Sequence, residues 1–351
     1  PGAAINYTVV FNEMRRPDGY MPEDDGWNIF VKACNKLVDG PSLKPMTSLS
    51  DMNDAQLHEV RIWIAANEPA FRCLDDAMSK PFFWPTSVPS SGPLHGLHED
   101  MSGGLHSVWD LGWAMIWRGK MKAYDGDVAG GVRDMVTAAE IVKCFGDKPT
   151  WSEWKAGAEL AITAYRMLAE VVRQQTLSSS SLVDLMHGVE KSERRFEPVY
   201  PQLAASRLVF LDMVQKMFTD EGNGDGRIIP SRTWDLVSSD TTRMSGRQSR
   251  LGRFFSAIKI GREHPGRRAT VESYDTQMAS FKEIWESREH GNDPESWWGG
   301  QRLYYRIPLV DNRFIMSYFQ PGSPTTLGQL WTLRNDALRV QATIAVMRYK
   351  V

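Results

Sequence analysis

From Leu105 to Val172 apolar side chains return every three or four residues through three successive segments, broken only by short Gly/Asp/Pro turns. That spacing matches the 3.6-residue turn of an α-helix and lays one apolar stripe along each segment. In the first, Leu105, Val108, Trp109, Gly112, Met115, Ile116 and Gly119 share a face, and the two glycines let a neighbouring helix come close. Asp125-Gly126-Asp127 turns the chain into the second, which carries Val128, Val132, Met135, Val136, Ala139 and Val142. Thr150-Trp-Ser-Glu153 has the form of a capping box, in which a hydroxyl and a carboxylate satisfy the free amides of a helix start. Behind it Trp154, Ala158, Ala161, Tyr165, Leu168 and Val172 make the third stripe. Amphipathic rods joined by short turns predict helices stacked antiparallel in an array.

The flanks read less regularly. A short helix is predicted over Asn6–Met14, ending at Arg16-Pro17, then a linker Asp18–Asp25 and a helix from Gly26 to Val38 with Trp27, Phe30, Val31, Cys34 and Leu37 inward. Another begins near Asn53, turns Leu57, Val60, Ile64, Phe71 and Leu74 inward, and is interrupted at Pro69. Pro81–Gly104 is rich in Pro, Ser, Gly and His and reads as a long connection. After a polar break at Ser178–Ser181, with a cap from Ser181 to Asp184, Val199–Phe218 forms a further helix. Ser245–Gly261 reads as a basic amphipathic helix and Glu272–Glu289 as a polar one; Asp293-Pro294 starts another. Leu303–Phe319 reads as a short β-hairpin or an irregular segment, Pro308 weighing against the hairpin. A last long helix starts at Ser323-Pro324 with Leu327, Leu330, Trp331, Leu338 and Ile344 inward, and its pattern runs on through Arg339–Val351 without a stop signal.

A chain of 351 residues can bury a substantial core. Its net charge of −2 argues against a protein that coats nucleic acid, which carries a basic excess. The 13 Trp and 17 Met supply bulky and adaptable fillers between helices, or a sticky surface for a partner. Cys34, Cys73 and Cys144 are odd in number and far apart, so three buried reduced thiols are expected rather than a disulfide framework or a zinc cluster. No apolar run approaches the ~18 residues of a membrane span. The chain opens at Pro1, so a removed N-terminal segment, such as a signal peptide or anchor, is expected.

The pair of segments in Leu105–Phe145, with Gly126-Asp127 in the turn and Ala129 after it, resembles a tetratricopeptide-type hairpin in architecture. Its period is longer, and the Trp-Leu-Gly…Tyr pattern of that family is missing. More widely, Ile64–Ala70, the Gly-Asp hairpin, Phe210–Arg227 and the terminal Met347–Lys350 follow an order similar to that of large uncharacterised helical proteins of planctomycete bacteria. Such proteins tend to begin with an anchoring or export segment and to end in a Gly-Pro-Ser-Leu-type tail, which is absent here. The resemblance implies a place in the bacterial cell envelope or periplasm, anchored through a segment before Pro1, and otherwise in the cytoplasm. It brings no catalytic residue.

Three constellations could carry chemistry. Glu221, Asn223 and Asp225 stand at alternate positions, followed by Gly226 and Ile228, as in the first half of an EF-hand-type calcium loop. The closing acidic ligand is replaced by Arg232, and Pro230 intrudes; the competing reading is a connector of side-chain turns. His95, His98, Glu99 and His106 gather imidazoles and a carboxylate that could hold zinc or a similar ion, against incidental histidines in an exposed loop. Arg247, Arg250 and Arg253 lie in a basic stretch with Leu251, Phe254, Phe255 and Ile258. They could meet an anionic membrane or an acidic partner, or simply be the solvated face of a packed helix. Trp297 and Trp298 with Tyr304 and Tyr305 could stack a flat ligand, though anchoring a helix corner is the commoner use. No nucleophile elbow, phosphate loop, Rossmann fingerprint or zincin helix is present in the sequence.

The sequence therefore predicts an all-α chain: an antiparallel helical array, α-solenoid or TPR-like in the middle, with a less regular C-terminal part. Residues 1–100 would hold the N-terminal helices and long loop, 101–220 the array, and 221–351 the C-terminal helical region, packed together. The expected role is a non-enzymatic scaffold that binds another protein in an envelope-associated assembly, without nucleic acid and with no cofactor beyond calcium. The alternatives are a metal-dependent binding protein or hydrolase, or a peripheral membrane protein. Oligomeric state is not legible.

Overall fold

The computed structural model describes residues 5–41, 49–88, 97–175, 177–194, 196, 200–220, 225–229, 231–232, 266–289 and 324–348. Among these the regular elements are all helical. They are α1 (Tyr7–Arg15), α2 (Trp27–Asn35), α3 (Asp54–Ala66), α4 (Glu68–Met78), α5 (Leu97–Tyr124), α6 (Val128–Ala139), α7 (Trp151–Gln174), α8 (Ser179–Arg194), α9 (Tyr200–Met217), α10 (Arg267–Glu289) and α11 (Pro324–Arg348). Short 3-10 turns occupy Pro22–Asp24, Leu49–Asp51 and Glu140–Phe145. The chain divides into two compact units built from non-consecutive segments. One comprises Pro1–Phe11, Ser87–Asp100 and Leu203–Pro324, the other Asn12–Thr86, Met101–Gln202 and Thr325–Val351.

The larger unit is organised around α5, which is buried on nearly every side from Leu111 to Met121. Gly119 of α5 and Gly131 of α6 meet backbone to backbone: a Cβ on Gly119 would lie 2.7 Å from the Gly131 carbonyl oxygen. Ala123 faces Gly131, and Gly119 also reaches Met135, so residue numbers fall along α5 as they rise along α6. The two helices form an antiparallel hairpin across the Asp125-Gly126-Asp127 turn. Gly126 takes φ +99, a conformation that side chains disfavour, and Asp127 caps α6 by accepting from the Gly130 amide at 2.9 Å. Gly112 of α5 leaves room for the Leu160 side chain of α7. The backbone approach expected at the two glycines is therefore present at Gly119, while Gly112 receives a side chain.

α7 carries the longest buried stripe, from Trp154 to Val172. Its start is the capping box read from the sequence: Thr150 Oγ1 accepts from the Glu153 amide, and the Glu153 carboxylate accepts from the Thr150 amide at 2.7 Å. That carboxylate is also used by Arg15, buried at 2 % exposure, whose guanidinium donates to Glu153 at 3.0 Å and to the Phe145 carbonyl at 2.7 Å. Such added hydrogen bonds offset part of the cost of taking the two charges out of water. α3 packs on α5 through Met52, Leu57, Val60, Trp117 and Met121. α2 lies on α4, and Asp25 joins the two ends of this region: it accepts from the Tyr20 hydroxyl and from the Trp27 and Trp84 amides.

In the smaller unit α9 packs on α10 through a stacked Phe210–Tyr274 pair with ring centroids 4.1 Å apart. Arg207 adds a two-pronged bond to Asp275 at 2.7 and 2.8 Å. Asp212, also on α9, accepts from the Leu97 amide at 3.2 Å and so serves the first turn of α5.

Several expectations are corrected. The connection drawn over Pro81–Gly104 is helical from Leu97, where the first amide of α5 is met by a carboxylate 115 positions away. The stretch from Asn53 to Met78 is two helices that break at Asn67, with Pro69 in the first turn of the second. The helix expected to run to Val38 ends at Asn35. α6 ends at Ala139 and passes into a 3-10 turn that includes Val142. The cap placed at Ser181 sits at Ser178, whose hydroxyl accepts from the Ser181 amide at 3.1 Å. Leu338 points outward at 49 % exposure, and the inward face of α11 is Leu333, Ala337, Val340 and Ile344. Of the three free thiols only Cys144 is buried; Cys34 and Cys73 are half-buried. The segments 245–261, 293–294 and 303–319 lie outside the described residues.

Candidate functional site

The charges of the larger unit are arranged in pairs. Arg118 and Asp134 cross from α5 to α6 with two parallel bonds, Nε to Oδ2 at 2.8 Å and Nη2 to Oδ1 at 2.7 Å. Such a fork is the strongest geometry open to the two groups. Lys122 adds a second cation to Asp134 at 2.9 Å. Arg118 also lies over the Phe71 ring, 4.4 Å from its centroid, with Asp75 at 3.7 Å. Burial raises the Asp75 carboxyl above its ordinary range, opposed by the Arg118 charge. This network locks the hairpin, and no cavity adjoins it among the described pockets.

A concavity opens between α7 and α11. It measures about 270 Å³ and is lined by Arg166, Glu170 and Arg173 with Asp336 and Arg339, and by Tyr165, Met167 and Ala169. Asp336 is nearly buried and receives Arg166 Nε at 2.8 Å, with Arg339 Nη1 3.7 Å away. Arg173 donates through Nε to the Ala169 carbonyl of its own helix at 2.9 Å. Glu170 accepts from Gln174 at 3.3 Å and acts on the charge of Lys120, a buried amine on α5 that stacks over Trp117. Loss of hydration pulls the Lys120 ammonium down to about 8. What the cleft can do is hold charge.

The residues singled out from the sequence are placed differently. Glu221 and Asn223 of the calcium-loop reading lie outside the described residues, whereas Asp225 is exposed with its carboxylate against Gly266, at the start of α10. The flanks of that loop close by pairing Phe218 with Ile228, through a Thr219 amide to Arg227 carbonyl bond of 2.8 Å. Of the histidine group, His95 lies outside the described residues. His98, Glu99 and His106 are on α5 rather than in a loop, and His106 is exposed. Arg247, Arg250 and Arg253, and the aromatic cluster Trp297, Trp298, Tyr304 and Tyr305, lie outside the described residues. Among the described residues no group of three His, Cys, Asp or Glu side chains converges as a metal site, and no helix is long and apolar enough to cross a membrane.

The cleft residues were not legible beforehand. Arg166, Arg173, Asp336 and Arg339 look in sequence like ordinary solvated helix charges, and the bond that joins two of them spans 170 positions. Comparison with protein-family profiles, with curated proteins and with solved structures returned no match.

Proposed function

We propose that this chain is a non-enzymatic helical scaffold that binds another protein. The observation that carries the reading is the use of charge in the larger unit. Two of its buried charge pairs, Arg15 with Glu153 and Arg118 with Asp134, hold helices together rather than face a substrate. On this reading α5 and α6 are a tetratricopeptide-like hairpin, and α5 to α8 form a short solenoid whose outer surface receives the partner. Its setting is an envelope-associated assembly, without nucleic acid.

Isolation of the full-length protein from its native cells after mild cross-linking tests this, combined with elemental analysis of the purified chain. The reading expects one companion protein at fixed stoichiometry and no tightly held metal. A chain that purifies alone with a stoichiometric metal would overturn it in favour of a metal-dependent activity.

A further inference from the structure

We propose that the cleft between α7 and α11 binds a phosphate-type oxyanion through the guanidinium groups of Arg166, Arg173 and Arg339. Geometry supplies the first argument. Arg166 and Arg173 are each anchored through Nε, one to Asp336 and one to the Ala169 carbonyl. Those bonds fix each planar group through Nε and leave its terminal Nη atoms without a hydrogen-bond partner among the described residues, and both residues line the cavity. Guanidinium groups held in this way lose little freedom when they meet an oxyanion.

Charge supplies the second. Arg166, Arg173 and Arg339 line the concavity together with Glu170 and Asp336, an excess of one positive charge. A phosphate oxyanion would neutralise it. Shape supplies the third: Arg166 and Arg173 stand seven residues apart on α7, and Arg339 comes from another helix. Donors supplied by two helices suit the tetrahedral oxygens of phosphate better than a planar carboxylate, which one fork satisfies. At about 270 Å³ the cleft suits a small phosphate ester or hydrated inorganic phosphate, not a chain. This site stands apart from the scaffold reading, since a protein that ignores phosphate can still hold a partner.

Titration calorimetry of the intact chain with inorganic phosphate at constant ionic strength tests the proposal, with succinate, whose charges sit on two planar carboxylates, in a parallel arm. Saturable phosphate binding is expected, tighter than succinate. R173Q and R339Q should each weaken it about tenfold or more while far-UV circular dichroism stays unchanged. Both variants leave the Arg166–Asp336 link between the helices in place, and Arg339 is 71 % exposed, so folding is not at stake. Three results would overturn the proposal: no saturable phosphate binding, equal binding by the R173Q/R339Q double variant, or succinate bound in preference to phosphate.

Discussion

Replacing Gly131 by alanine separates backbone contact from mere proximity between α5 and α6. In a helix interior Gly→Ala ordinarily stabilises by about 1 kcal/mol, because alanine has less freedom to lose on folding. At Gly131 the added Cβ would fall inside van der Waals distance of the Gly119 carbonyl oxygen and 3.0 Å from Ala123 Cβ. The obstruction is largely backbone, so α5 and α6 must move apart, and the Arg118–Asp134 fork one turn away must stretch with them. Overpacking of this kind costs roughly 1–3 kcal/mol. The balance is a net loss of up to about 2 kcal/mol, opposite in sign to the propensity effect. Gly188 on α8 is the comparison. A Cβ there meets Val136 Cγ1 at 2.8 Å, the end of a side chain that can shift, so G188A should be close to neutral. Urea unfolding followed by circular dichroism measures both. A G131A protein more stable than wild type would refute the close approach of the two helices.

Three further outcomes follow from buried groups. D134A strips Arg118 and Lys122 of their shared carboxylate and should cost about 3 kcal/mol, measured by urea unfolding; a loss below about 1 kcal/mol would mean the fork carries little. Lys120 titrates at about 8 when folded and at 10.5 when free, so its buried charge opposes folding fully below pH 8. That penalty, at most about 3 kcal/mol, fades as pH rises from 8 to 10.5. K120M should therefore be more stable than wild type at pH 7, with the gap closing toward pH 10.5; a gap independent of pH contradicts the burial of that amine. Burial pushes the Cys34 thiol up to about 12, so its thiolate fraction at pH 8 is on the order of 10⁻⁴. Iodoacetamide at pH 8 should modify Cys34 orders of magnitude more slowly than a free thiol, read by peptide mass spectrometry; alkylation at the free-thiol rate would contradict its burial.

Local signals in the sequence translated well into structure, and long-range ones did not. The capping box at Thr150 and the start at Asn53 each depend on residues within one turn, and each is where the spacing puts it, whereas the break comes at Asn67 and Pro69 falls in the first turn of α4. Gly112 and Gly119 were legible because two glycines on an apolar helix face have few other uses. The first turns of α5 were not, since Gly103-Gly104 reads as loop and the group that serves Leu97 is Asp212. Arg118 and Lys120 interrupt an otherwise apolar stretch and suggest a solvated face, yet both are buried, one matched by Asp134 and the other laid over Trp117. The cleft depends on α7 meeting a helix some 170 residues later, which no local pattern encodes.

The account rests on one apolar core shared by α5, α6 and α7. Native-state hydrogen exchange, resolved by peptide, reads that core directly: amides in a buried cooperative unit open together, whereas those of frayed or solvated helices open singly. Leu111–Met121, Val132–Ala139 and Trp154–Val172 should be the slowest segments and share one opening free energy, with α3 exchanging sooner at its exposed face. Exchange of α5 as fast as that of α3, or three unrelated rates for the three segments, would contradict it.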